Sequence, residues 1–371
     1  MMRESIERAL AVAGKELVGI RRDPKLLRLV FISPIIQLMV FGYAVSTDVR
    51  NTRTFVVDHD RTAASRALVE RMTSSGYFRV VGRSDRPRDL VAALDGGRAI
   101  VGLQIPAGYS AALRAPGGAE VQLLVDGSNS NIATVALGYA EQIVRTHGLA
   151  SLATTYRPPI DLRERAWYNP ALLSRIFNVP AVIGSIMLLI SLLLTALAVV
   201  REREIGTLEQ LIVSPSTPRE LIVGKTLPFA AIALFDMALI TTLALAWFRV
   251  PFTGNFLLLL VAALFFLLSS LGLGLLISTI SSTQQEAFLA SFMLFMPLML
   301  LSGFMFPVSS MPVTFQWLTL LNPLRHYLEI VRAVFLKAAG LDALWPQFAA
   351  LAVMGTTVMF VAASRFRKTV A

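Results

Sequence analysis

The chain has 371 residues, 55% of them hydrophobic and 16% charged, with mean hydropathy +0.64, which is too apolar for a soluble globule and too long for one membrane anchor. Its 34 basic residues outnumber 24 acidic ones but are scattered over short segments, which speaks against a nucleic-acid surface and for a membrane. With no cysteine, and with His59, His147 and His326 far apart, a disulfide framework, a thiolate metal site and an HExxH site are excluded.

In residues 1–25, Ile6, Leu10, Ala13, Leu17 and Ile20 recur at steps of four and three, with Arg3, Arg8, Lys15, Arg21 and Arg22 around them. This pattern predicts a basic amphipathic helix lying on an anionic membrane surface. Asp23-Pro24 breaks it. No cleavable signal peptide is expected, because the first apolar run starts only after Lys25 and Arg28 and outlasts a signal core. A first span is placed within 26–46, where Leu29–Val45 gives 17 uncharged residues.

Residues 47–175 change character, with 16 Arg, no Lys and 12 acids. Short apolar runs (Thr54–Val57, Phe78–Val81, Ile100–Ile105, Val121–Val125) alternate with helical stretches (Ala63–Met72, Arg88–Leu94, Tyr109–Leu113, Ile132–Leu152). An α/β domain inserted between two spans is expected. Within it, Asp126-Gly127-Ser128-Asn129-Ser130-Asn131 imitates a calcium loop but has Asn131 where that loop needs glycine and Leu137 where it needs glutamate, so it reads as a turn capping the next helix.

After Trp167-Tyr168-Asn169-Pro170, an aromatic pair suited to a membrane boundary, further spans are expected at 176–200, 226–248, 256–280, 287–308 and 343–364, with a basic tail at 365–371. The fold class is thus an α-helical polytopic membrane protein of six transmembrane helices with an inserted α/β extracytoplasmic domain. Short segments on the side of the termini hold 14 Lys and Arg against four on the other, which places both termini and the 201–225 segment in the cytoplasm. Between the last two spans, residues 309–342 include Leu324, Leu328, Val331 and Phe335 at helical spacing, which predicts a helix re-entering the outer leaflet with its ends covered by protein or water.

The segment 201–225 organises the rest. Arg201, Glu202, Arg203 and Glu204 follow directly on 25 uncharged residues, and two helix starts are expected behind them, Thr207 with Gln210 and Thr217 with Glu220, the second followed by Pro218. Ile205, Leu208 and Ile212 share one face while Glu202 and Glu209 share another, so the piece can lie in the interface with its acids towards solvent. Gly224-Lys225-Thr226 imitates the end of a phosphate-binding loop, but Arg219 stands where that loop needs glycine, and Lys225 is expected to snorkel at the start of the third span.

Asp236 falls near the middle of that span, where an ionised carboxylate is costly unless it faces protein or water. It reads either as a polar point on a substrate path or as a hydrogen-bonded structural residue. Phe292, Met293 and Met296, with Phe295 and Met299, give the fifth span a soft, adaptable face that serves packing or a substrate path.

The basic N-terminal helix, Tyr168-Asn169-Pro170, the run Arg201 to Leu211, Gly224-Lys225, Ser281-Ser282-Thr283-Gln284-Gln285, and Asn322-Pro323 with Arg332 together resemble the permease subunits of ABC-2 type exporters, in the branch with a large extracytoplasmic domain. The resemblance covers nearly the whole chain. It implies a dimer with a second permease, self or homologue, paired with two nucleotide-binding ATPase subunits that carry the ATP and Mg. No cofactor is expected in this chain. The docking residues implied are Arg201, Glu202, Arg203, Glu204, Gly206, Thr207 and Glu209. Amphiphilic drugs or lipids are the implied substrates, with a periplasmic adaptor, an outer-membrane channel and membrane lipids as further partners, in a bacterial inner membrane. A rival reading is an ATPase-independent receptor or secretion accessory protein whose outer domain binds a partner. A proton-coupled transporter would need a relay of acids where the spans offer only Asp236.

Overall fold

The computed structural model describes residues 2–44, 50–115, 118–151, 167–169, 173–206 and 217–370. The chain divides into two compact units, one of Met1–Ser46 with Ala166–Ala371 and one of Thr47–Arg165.

The first unit is helical. Helix α1 (Met2–Arg22) ends at Asp23, whose side chain accepts from the Leu26 N–H at 3.4 Å and starts a second helical run: α2 (Pro24–Leu27), a π turn (Arg28–Ile32) and α3 (Ser33–Ala44). Then come α8 (Ser174–Ile205), α9 (Pro218–Ala246), α10 (Phe256–Ile280), α11 (Gln284–Leu300), α12 (Val313–Leu318), α13 (Pro323–Lys337) and α14 (Leu341–Val370). Among the described residues, four stretches are long and apolar enough to cross a membrane: Ser174–Ile205, Glu220–Ala246, Phe256–Ile280 and Leu341–Arg365; Val30–Tyr43 is apolar but shorter.

The apolar run 287–308 is not one helix. Helix α11 stops at Leu300, where the Ser302 hydroxyl takes over the Met299 carbonyl at 2.6 Å and Gly303 turns the chain at φ +80°. Only a residue without a Cβ adopts that angle without strain, so the turn interrupts a stretch that hydropathy alone reads as continuous.

Helix α8 is the centre of this unit and packs against α3, α9, α10, α11 and α13. The predicted external helix is α13, and its apolar stripe is fully buried: Leu324, Leu328, Val331 and Phe335 are all 0% exposed. Asn322 caps its start by accepting from the Leu324 N–H at 3.0 Å, while the Asn322 amide donates to the Leu298 carbonyl at 2.7 Å. At the other end Thr253 donates to the Phe335 carbonyl from both its N–H and its hydroxyl, each at 3.0 Å. The first free amide of α13 and its Phe335 carbonyl thus both have protein partners. Tyr327 stacks on Phe266 at 4.5 Å between ring centroids and directs its hydroxyl at the sulfurs of Met187 and Met237.

In the second unit every apolar run read as a strand forms one: β1 (Thr52–Asp58), β2 (Phe78–Ser84), β3 (Val101–Ile105) and β4 (Gln122–Val125). The sheet order is β2-β1-β3-β4, parallel except for the antiparallel β3–β4 pair. Helices α4 (Ala63–Ser74), α5 (Pro87–Asp95), α6 (Tyr109–Ala112) and α7 (Ser130–Ser151) connect or follow the strands. The Asp126–Asn131 turn is built from short-range caps, Ser128 N–H to Asp126 at 3.0 Å and Ile132 N–H to Asn129 at 3.2 Å.

Candidate functional site

Helix α8 does not stop where its apolar run ends. It carries Arg201 to Glu204 as its last turn and closes at Gly206, whose φ of +76° lets its N–H reach back to the Glu202 and Arg203 carbonyls. The first acids of the 201–225 segment are therefore held on a long helix. Behind them, residues 207–216 lie outside the described residues, including Thr207, Glu209 and the expected Thr207–Gln210 helix start. The second start is present: Thr217 N–H donates to the Glu220 carboxylate at 2.8 Å, Glu220 N–H donates to the Thr217 hydroxyl at 3.4 Å, and Pro218 opens α9. Those reciprocal bonds satisfy two of the amides a helix start leaves bare.

Two expectations are corrected here. Lys225 does not snorkel: it is 2% exposed and bonds the Glu202 carboxylate, with a Glu16 oxygen 3.6 Å away. Glu202 does not face solvent: it is 8% exposed and also accepts from Lys15 at 3.1 Å. The reason is the position of α1, which lies along α9 instead of only on the surface. Gly224 allows that approach, because a Cβ there would stand 2.7 Å from the Ala9 carbonyl oxygen and from the Val12 Cβ of α1. Once α1 covers Lys225, the ammonium loses water and needs carboxylates around it. Gly224-Lys225 thus lies within helix α9 and serves as a contact surface and an ion pair, where a phosphate loop would need a glycine-rich turn before a helix start.

Around this pair a wider set of charges closes. Arg201 bonds Asp23 at 3.2 Å, and Arg8 approaches Glu220 at 3.7 Å. On the other side Arg203 donates to the Ser281 carbonyl at 2.9 Å, and the Gln284 N–H donates to Glu204 at 2.8 Å, with the Gln284 side-chain amide on the second oxygen. Thr283 caps α11 there, accepting from Glu286 N–H at 3.2 Å. Burial raises the Glu16 carboxyl above its ordinary range, partly offset by Lys225. The end of α8 is therefore locked to α1 and α9 on one side and to the start of α11 on the other.

Lys15, Glu16, Asp23, Lys225 and Gln284 belong to this junction and were not singled out from sequence as its members. The one local signal is Lys225 itself, a cation inside the apolar stretch Leu221 to Phe229 that has no acid one turn away on its own helix. Ile205, by contrast, is 66% exposed at the tip of α8.

The remaining candidates divide by environment. Asp236 is 0% exposed, and neither carboxylate oxygen has a hydrogen-bond partner among the described residues. Phe295 and Met299 of α11 are buried, whereas Phe292, Met293 and Met296 point outward, Met293 with 81% of its surface exposed. Arg332 donates to the Gly303 carbonyl at 3.0 Å and stacks over the Phe177 ring at 3.7 Å, which ties α13 to the turn after α11 and to the start of α8.

Residues 24–364 match the family described as ABC-2 family transporter protein. The chain belongs to that family. It is 35% identical over 357 residues, 96% of this chain and 97% of the relative, to an Escherichia coli protein described as a probable multidrug ABC transporter permease, YbhR. A second, YbhS, described in the same words and also from Escherichia coli, is 33% identical over 337 residues, 90% of this chain and 89% of the relative. The inner membrane transport permease YhhJ of Escherichia coli is 29% identical over 352 residues, covering 91% of this chain and 93% of its own length. As an ABC-2 family member with several apolar helices, the chain is a multi-pass membrane protein and a permease subunit of an ABC transporter. Membership implies a nucleotide-binding ATPase partner.

Proposed function

We propose that this chain is the membrane-spanning half of an ATP-driven exporter that moves amphiphilic small molecules, drug-like compounds or lipids, out of the cytoplasm or inner leaflet of a bacterial inner membrane. Six spans cross the bilayer, the 24–44 helical run and α11 being the two shorter ones, with both termini in the cytoplasm and the Thr47–Arg165 unit outside. ATP and Mg reside on the partner subunit. The segment around Arg201, Glu204, Gly206, Thr207 and Glu209 receives that subunit, with Glu202 and Arg203 anchoring it from behind. A second permease completes the dimer, and a periplasmic adaptor with an outer-membrane channel extends the route. Asp236, Phe292, Met293 and Met296 are the candidate path residues.

The observation that carries this reading is the junction at the end of α8, where one short segment is bonded at once to α1, α9 and α11. Such an arrangement would convert a push on the exposed Ile205 tip into motion of several helices, and the relatives described as probable multidrug permeases support the drug-like part of the substrate reading. The test is ATP hydrolysis by the complex reconstituted from its native host. An ATPase subunit is expected to co-purify, and Ile205→Asp combined with Glu209→Arg to reduce substrate-stimulated hydrolysis to the unstimulated rate. Co-purification of no ATPase, or full stimulation in the double variant, would overturn the proposal.

A further inference from the structure

Beside the junction lies a cavity of about 570 Å3 between α1, α2, α8, α9 and the start of α11. Its size falls in the range of small-molecule sites. It has two unlike ends. One is apolar, walled by Leu26, Leu194, Leu197, Ala198 and Phe229. The other is charged, lined by Lys15 and Arg201 together with Glu16, Asp23 and Glu202, and there the cations stand further out than the acids they bond. Lys15 is 61% exposed against 10% for Glu202, and Arg201 is 45% exposed against 22% for Asp23. An ammonium has three donors and a guanidinium five, so each keeps donors beyond the one aimed at its carboxylate. From Leu194 to Arg201 the wall runs seven residues along α8, about 10 Å at the helical rise, which matches several methylenes below a head group.

We infer that this cavity is a binding site for one anionic phospholipid of the adjoining leaflet, its phosphate held between Lys15 and Arg201 and the upper part of an acyl chain lying along Leu194, Leu197 and Ala198. Basic side chains at a membrane surface attract anionic head groups, and their charge-assisted bonds to phosphate oxygens are stronger than neutral ones. Because the same Arg201 and Lys15 contact Asp23 and Glu202, the lipid bridges α1 to α8 and reinforces the junction. The inference concerns a resident lipid and not cargo.

The test is native mass spectrometry and thermal unfolding of the chain purified in its complex, delipidated, then supplied with phosphatidylglycerol, phosphatidylcholine of the same acyl chains, or inorganic phosphate. One phosphatidylglycerol is expected to remain on each chain and to raise the unfolding temperature, with phosphatidylcholine and phosphate each failing to do so. Lys15→Gln with Arg201→Gln should weaken retention about tenfold or more. Ala198→Phe, which leaves both cations in place and fills the apolar end, should do the same. Equal retention of phosphatidylcholine, or stabilisation by phosphate alone, overturns the inference. So does loss in the charge variant with full retention in Ala198→Phe, because that result assigns the lipid to surface attraction only.

Discussion

Replacing Lys225 by Met keeps the length and the apolar stem of the side chain and removes only the charge. Lys225 is 2% exposed, between Glu202 and Glu16, whose side chains are 10% and 16% exposed. Removing one partner of a buried ion pair typically costs about 3–5 kcal/mol, because the other charge stays behind uncompensated. The low end, about 3 kcal/mol, is expected here, since Glu202 retains Lys15 at 3.1 Å. Glu202→Gln in the Lys225→Met background removes the stranded charge and should restore most of the loss, giving a coupling of about 1–3 kcal/mol. The deficit should also depend on pH. Burial already raises the Glu16 carboxyl above its free value of 4.5, so the folded state holds that proton more tightly than the unfolded one. Stability from this group is complete below 4.5 and falls as pH rises through the folded value, and without Lys225 the window widens upward. The Lys225→Met deficit is therefore larger at neutral pH than in acid. Hydrogen exchange of the α1 amides in detergent, run over the four members of the cycle, measures both. Wild-type protection of α1 in Lys225→Met, or a double variant equal to the sum of the singles, would refute the ion-pair account.

Gly224→Val should press α1 away from α9 at a cost of about 1–3 kcal/mol, since even the first added carbon meets the Ala9 carbonyl oxygen at 2.7 Å; faster exchange of α1, with α13 unaffected, is the expected signature. Tyr327→Ala should destabilise the helical unit by about 3–5 kcal/mol through the cavity it opens beside Phe266, whereas Tyr327→Phe should cost under about 1 kcal/mol, because only contacts to two methionine sulfurs are lost. Thermal unfolding of the two variants separates packing from hydrogen bonding. In the other unit, burial and nearby Arg71 hold His147 below its ordinary value of 6.5. The unfolded chain then takes up a proton that the folded one refuses, so the protection of α7 is full above 6.5 and declines as pH falls through the folded value. His147→Phe should flatten that profile, and an unchanged slope would remove His147 as its cause.

Much of the architecture was legible in the residues. Alternating apolar runs located all four strands of the Thr47–Arg165 unit because strand and helix periods differ and each run is bounded by turn residues. The Thr217-Pro218-Glu220 cap and the apolar stripe of α13 follow from spacing alone, since both are local. The end of α11 was not legible, because a serine and a glycine in an apolar stretch do not lower hydropathy enough to reveal a turn. For the site, the charged run Arg201 to Glu204 announced itself, but the roles of its members did not.

What the sequence by itself determined is the class: an apolar, multiply spanning chain with a charged segment after its second long apolar run, matching a permease family. Only the tertiary structure decided that Glu202 and Lys225 face each other under α1, that Glu204 and Arg203 hold the start of α11, and that Ile205 is left exposed at the tip. The physical reason is range. Caps and stripes are fixed within a few residues of chain. A buried charge is fixed by whichever distant helix excludes water from it, and that helix lies roughly two hundred residues away in the sequence, close only after the bundle has packed.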